Sequence, residues 1–280
     1  MATAKEIVSR VDRLASLPAV YFRIRKVVSD PDASVADLSK AISADPDITA
    51  RLLRVVNSSY FGLPGRVGSV SIAVTMIGMQ QVHDIVLATS LATTFAGVRP
   101  AHMDMTRYWR DSLFRGLASR CLAMRRRVRD PERLFIEGLL SDIGHLVMYM
   151  RLPVPTAHAR QISRDESVPL YRVERETIGC DYAQVGAALL DQWNLPPAIC
   201  ATVAEHAELP VTAESHFEAA IVHIASHLAD WAEDGGAAIA DSAWEYAGLS
   251  PDDLPAVAEQ AQDALADAVA LFFPSFAVAA

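Results

Sequence analysis

Glu137-Gly138-Leu139-Leu140-Ser141-Asp142-Ile143-Gly144-His145-Leu146-Val147 lies at the middle of the chain, between two longer helical arms. Its apolar residues and its glycines, Gly138-Leu139-Leu140 and Ile143-Gly144, are the parts that pack. Ser141-Asp142 is a polar pair set among them. Asp142 is an anion with two acceptor oxygens, whereas Ser141 is a poor ligand for a divalent metal because its hydroxyl is neutral at pH 7. The stretch is therefore a packing centre that carries one polar pair, and residues elsewhere decide what that pair does.

Working outward, helical punctuation recurs on both sides. Thr3-x-x-Glu6 reads as a capping box ahead of Ile7, Val11 and Leu14. Ser34 and Asp47 are expected to cap the next helices, with Val35, Leu38 and Ile42, then Ile48, Leu52 and Val55, at helical spacing. Asn57 to Gly65 is dense in Gly, Pro and Ser and breaks the chain. Helices are expected over about 71–77, ending at Gly78, and over about 79–95, ending at Gly97. A long helix over about 105–128 would bury Trp109, Leu113, Leu117, Cys121 and Met124. Asp130-Pro131 starts the helix that carries the central stretch to about Met150. Pro153 and Pro155 break the chain before helices near 157–164 and 168–178. Later helices are expected over about 182–193, 196–208, 213–233, 240–247 and 252–272, with Gly235-Gly236 as a link. No run alternates with period two, so strands are not expected. The fold class is all-α, two successive helical bundles. Segments 1–100, 101–210 and 211–280 are the expected domain organisation, the last a C-terminal helical extension packed on the second.

Composition limits the function classes. The chain has 280 residues, 51% hydrophobic and 21% charged, which suits a packed globular protein. Its net charge of −9 repels phosphate backbones, and no aromatic residues interleave its basic ones, so nucleic acid is not an expected partner. The three cysteines, Cys121, Cys180 and Cys200, form no C-x-x-C pair and do not suggest a disulfide framework. No signal peptide or apolar run of membrane-spanning length is read, so a cytoplasmic protein without a membrane partner is expected.

Eight stretches in order now carry a resemblance. They are Leu14-Ala15-Ser16-Leu17-Pro18-Ala19, Leu38 to Pro46, Leu52 to Phe61, Ser71 to Gly78, Trp109-Arg110-Asp111-Ser112, the central stretch, Gly179 to Leu190, and Trp193-Asn194-Leu195-Pro196. Together they resemble the HDOD domain, the HD-related output domain of bacterial signalling proteins. The resemblance implies a helical fold whose second bundle is related to HD phosphohydrolases, generally without demonstrated catalysis.

It also implies where a metal-dependent HD hydrolase would place its ligands. Such an enzyme needs His and carboxylate ligands converging from several helices to activate a water. The first His of the pattern falls near Ser112, and that of the HD pair at Ser141, ahead of the retained Asp142. Tyr182 stands where a His is often found, the later pair reads Glu205-His206, and the late Asp falls at Ser226. Asp142, His206 and Glu205 are too few for a two-metal site. No catalytic residue, metal or cofactor is expected, and Asp142 is read as a structural cap or buried hydrogen-bond acceptor. The alternative is a weak metal-dependent phosphohydrolase using those three residues.

Other features have bland readings beside sharper ones. His145 is read as a histidine at the helix surface. His216, His223 and His227 fall on one helical stripe, read as structural over metal-binding. Arg120, Arg125, Arg126 and Arg127 gather near one helix end, as a solvated end or an anion site. Tyr60, Phe61 and Leu63 are read as packing between the bundles, and Leu271-Phe272-Phe273-Pro274-Ser275-Phe276 as packing back on the domain. The expected partner is a signalling protein or a small nucleotide, with a second copy of the chain as a further candidate.

Overall fold

The computed structural model describes residues 2–10, 17–58, 60–95, 97–210, 216–234 and 239–274. Val11, Leu14-Ala15-Ser16, Ser59, the start of the helix expected at 213, Gly235-Gly236 and Ser275-Phe276 lie outside the described residues. Among the described residues the elements are helical and there is no strand. In chain order they are α1 (Ala4–Ser9), α2 (Ala19–Val28), α3 (Val35–Ser43), α4 (Pro46–Val56), α5 (Val70–Ile77), α6 (Met79–Thr94), α7 (Met105–Arg125) and α8 (Pro131–Leu140). Then follow α9 (Ile143–Arg151), α10 (Pro153–Glu166), α11 (Leu170–Thr177), α12 (Tyr182–Gln192), α13 (Pro197–Glu205), α14 (Phe217–Asp234), α15 (Asp241–Ala247) and α16 (Leu254–Phe272). No single described helix is long and apolar enough to cross a membrane.

Side-chain caps start α1, α3, α4, α5, α7, α8 and α12. Thr3 and Glu6, Ser34 and Asp37, and Asp181 and Gln184 form reciprocal capping boxes. The cap of α4 is Asp45 and not Asp47. Pro46 takes the first helical position, so the Asp45 carboxylate reaches the amides of Asp47 and Ile48, at 3.0 and 3.1 Å. Pro153 likewise starts α10, so the prolines expected to break the chain begin a helix.

One compact unit holds α1 and residues Arg99–Leu265, the other α2 to α6 with the last turns of α16. This grouping differs from three consecutive segments, because α1 and the start of α16 count with the central helices.

In the first unit, glycines let helices approach closely. A Cβ on Gly116 would lie 2.8 Å from the Phe135 carbonyl oxygen, and one on Gly138 2.7 Å from that of Arg115, so α7 and α8 meet backbone to backbone. A Cβ on Gly144 would fall inside contact distance of the Tyr182 carbonyl, with Gly186 beside it, which brings α9 just as close to α12. Trp109, Leu113 and Leu117 are buried on α7 as expected, but Met124 is 51% exposed, because the apolar face turns outward in the helix's last turn.

The second unit is built around α6, buried from Val82 to Ala92. The Asn57 amide donates to the carbonyls of Leu53 and Val67, and its oxygen accepts from the Val67 amide at 2.7 Å, closing the glycine-rich loop. Tyr60 meets Phe61 and Phe272 edge-on, and Phe272 and Phe273 are buried. Another polar group lies inside this unit: Tyr21 hydroxyl 3.1 Å from His83 Nε2, and His83 Nδ1 2.9 Å from Asp84.

Candidate functional site

The central stretch is not one helix. It divides at Ser141-Asp142, which form a turn between α8 and α9. The Ser141 hydroxyl donates back to the Gly138 carbonyl at 2.8 Å, and the residue is fully buried. Asp142 occupies the N-cap position of α9 but makes no capping bond with its side chain. Freed from the helix, its carboxylate turns to side chains of other turns.

Arg115 Nη2 lies 3.1 Å from Asp142 Oδ2, and His145 Nδ1 hydrogen-bonds Asp142 Oδ1. His145 Nε2 is 3.1 Å from Glu174 Oε1, and Glu174 Oε2 accepts the Tyr182 amide at 2.9 Å. Arg115 is 5% exposed and Glu174 fully buried, so the cluster is two cations against two anions in a low-dielectric setting. Its electrostatics follow from these distances. Burial pulls the His145 imidazole down, but the Asp142 and Glu174 carboxylates outweigh it and bring it up to about 10. Burial also pushes Asp142 up, and His145 and Arg115 reverse this, holding its carboxyl well below the usual range.

His145 is thus not at the helix surface. It is 6% exposed, because the close crossing of α9 and α12 encloses it, and it stacks on the Tyr182 ring at 4.1 Å. Tyr182 in turn meets His206 edge-on at 5.5 Å. His206 Nδ1 donates to the Val203 carbonyl at 2.8 Å, and burial pushes this imidazole down to about 4, so it is neutral.

The other expected positions separate from this cluster or support it. Ser112 donates to the Tyr108 carbonyl at 2.8 Å and accepts from Arg115 Nη2 at 3.3 Å. Ser226 is buried. Glu205 does not join Asp142 and His206, because its carboxylate lies 3.1 Å from His216 Nδ1. His223 donates to the His206 carbonyl and His227 to the His223 carbonyl, so both brace backbone. Arg120 pairs with Glu132 at 2.6 Å and Arg125 with Asp253 at 3.0 Å. The Arg126 guanidinium lies over Gly248, where a Cβ would come within 2.8 Å of it, and Arg127 is exposed. Half of the arginine set is therefore committed to carboxylates of the chain itself.

Arg115 and Glu174 were not legible as site residues. The one signal was a buried polar row on α7, Ser112, Arg115 and Ser119, at spacings of three and four.

The donor set decides whether this place fits a metal. Among the described residues no three His, Cys, Asp or Glu side chains gather as a metal would require. Both Asp142 oxygens face cationic groups of the chain, and the Ser112 and Ser141 hydroxyls are spent on carbonyls of their own helices. These residues do not fit a divalent cation.

A family model for the HDOD domain matches residues 14–209. The chain belongs to the HDOD family. Among solved structures it is similar to an HDOD domain protein of unknown function from Geobacter sulfurreducens, 20% identical, covering 99% of this chain and 95% of that one, TM-score 0.70. It is also similar to a protein from Shewanella amazonensis SB2B provisionally named a phosphohydrolase, 24% identical, covering 97% of each chain, TM-score 0.71. A third, from Marinobacter aquaeolei VT8 and provisionally named a signal transduction protein, is 21% identical, covering 89% of this chain and 57% of that one, TM-score 0.65. At these identities the likeness shows the shared fold. An uncharacterized protein of Treponema pallidum (strain Nichols) is 24% identical over 216 residues, 76% of this chain. The chain spans 41% of that relative's length. The all-α, HD-like architecture of the HDOD family is thus present here.

Proposed function

We propose that this HDOD chain is a non-catalytic module of bacterial-type cytoplasmic signal transduction, acting by binding a signalling protein or a small nucleotide. The observation that supports it is the occupancy of Asp142: His145 and Arg115 hold the one acidic residue of the central stretch that an HD hydrolase would give to a metal. The family and the provisional name of the Marinobacter protein fit a regulatory role. Of the two partners, a protein is favoured, because Arg120 and Arg125 are engaged with Glu132 and Asp253 and leave less positive charge for a phosphate.

The test is hydrolysis of bis-p-nitrophenyl phosphate and cyclic dinucleotides by the purified chain with Mn²⁺, Mg²⁺ or Fe²⁺ supplied. No turnover is expected. Turnover that Asp142→Ala abolishes in a folded variant establishes a phosphohydrolase instead.

A further inference from the structure

We infer that Arg115 is the resident cation of this site, standing on Asp142 where a metal-dependent HD hydrolase would carry a divalent ion. The inference rests on the reading above and names what closes the site.

Geometry carries it. One guanidinium nitrogen, Nη2, contacts both Asp142 Oδ2, at 3.1 Å, and Ser112 Oγ, at 3.3 Å. Ser112 and Asp142 are two of the positions at which the HD pattern places ligands, and they lie on separate elements, α7 and the α8–α9 turn. A single donor thus bridges them as a shared ion would. Arg115 sits one turn after Ser112 on the same face of α7, so the helix itself delivers the guanidinium to this point. Gly138 lets it arrive: a Cβ there would crowd the Arg115 carbonyl, so glycine keeps α8 close enough for the turn after it to meet α7.

Charge balance points the same way. The Arg115 guanidinium, 5% exposed, already stands against the Asp142 carboxylate. A divalent ion added to that pair would bring two uncompensated positive charges into a poorly solvated place, beside a guanidinium that cannot lose its proton. A metal at bonding distance from Asp142 Oδ2 requires Nη2 to leave.

The experiment is a Mn²⁺ titration followed by calorimetry and by thermal unfolding. The wild-type chain is expected to show no one-to-one binding and no saturable rise in Tm. Arg115→Ala is expected to lower Tm, and the added Asp142→Asn to recover most of that loss, because removing the anion removes the need for a buried counter-ion. Stoichiometric Mn²⁺ binding by the wild type that Asp142→Asn abolishes overturns the inference, as does a loss of Tm in Arg115→Ala that the added Asp142→Asn does not recover. If Arg115→Ala does not fold, the added Asp142→Asn decides: restored folding supports a counter-ion, and continued failure reduces Arg115 to packing. The readout is binding and not turnover. Hydrolysis by a wild type that takes up no Mn²⁺ would end the non-catalytic reading and leave Arg115's place standing, whereas Mn²⁺ uptake without turnover would do the reverse.

Discussion

Glu174 joins two helices with one carboxylate: Oε1 is 3.1 Å from His145 Nε2 on α9, and Oε2 accepts the first amide of α12, Tyr182 N, at 2.9 Å. That amide is one of the donors a helix start leaves without an internal partner, and the positive end of the helix dipole favours an anion there. Glu174→Ala is expected to cost about 3–5 kcal/mol, the range for leaving a buried charge unpaired. Glu174→Gln keeps an acceptor and is expected to cost less. Midpoints of urea unfolding measure both, and a cost below about 1 kcal/mol for the alanine variant would remove Glu174 from this role.

The buried histidines set a stability maximum near pH 6.5, from opposite sides. The His145 value is raised to about 10, so its contribution is complete below the ordinary histidine value near 6.5 and is lost as pH rises from there through about 10. The His206 and His223 values are lowered by burial, to about 4 and about 3, so their unfolded forms take up protons first and stability falls as pH drops below 6.5. Unfolding free energy measured from pH 4 to 10 should therefore peak between the two limbs. His145→Gln should flatten the alkaline limb and leave the acid limb in place, and His223→Gln should shrink the acid limb to the part that His206 still carries and leave the alkaline limb in place.

Gly144→Ala tests the α9–α12 crossing. The added methyl would overlap the Tyr182 carbonyl and crowd Gly186, all backbone, so no flexible side chain can yield. A loss of about 3 kcal/mol or more is expected from such overpacking. Gly97→Ala meets nothing within 4 Å and serves as the control, expected within about 0.5 kcal/mol of wild type.

In the second unit, Tyr21→Phe removes the hydroxyl that meets His83 Nε2 inside a buried group. Leaving that nitrogen without its partner is expected to cost about 1–3 kcal/mol. Hydrogen exchange of the α6 amides checks whether the loss is local to this unit.

How far the sequence could carry this is visible in single residues. Capping boxes at Thr3, Ser34 and Asp181 announce helices by local chemistry alone, and Gly78 marks the end of α5. The HDOD resemblance followed from the order of the motifs. Hidden from the sequence was everything decided by which helices cross. His145 reads as a polar surface residue until Gly144 is known to bring α12 on top of it. Arg115 lies 27 positions from Asp142, with nothing in local spacing to pair them. Glu205 stands next to His206, yet the two diverge because His206 caps the end of α13 while Glu205 turns to His216. Nothing in the sequence marks the division at Ser141-Asp142, because the apolar pattern runs through it without a proline or a long gap.

The buried turn at Ser141 carries a lesson about reversibility. The serine is enclosed on every side and its hydroxyl is committed to Gly138, so an imidazole placed there must displace core atoms before it can offer a nitrogen. Arg115 would still sit on the neighbouring carboxylate. A working ion site therefore cannot be reached from this sequence by one codon change at a time without passing through less stable intermediates. A designer who wanted an ion there would have to change both positions together.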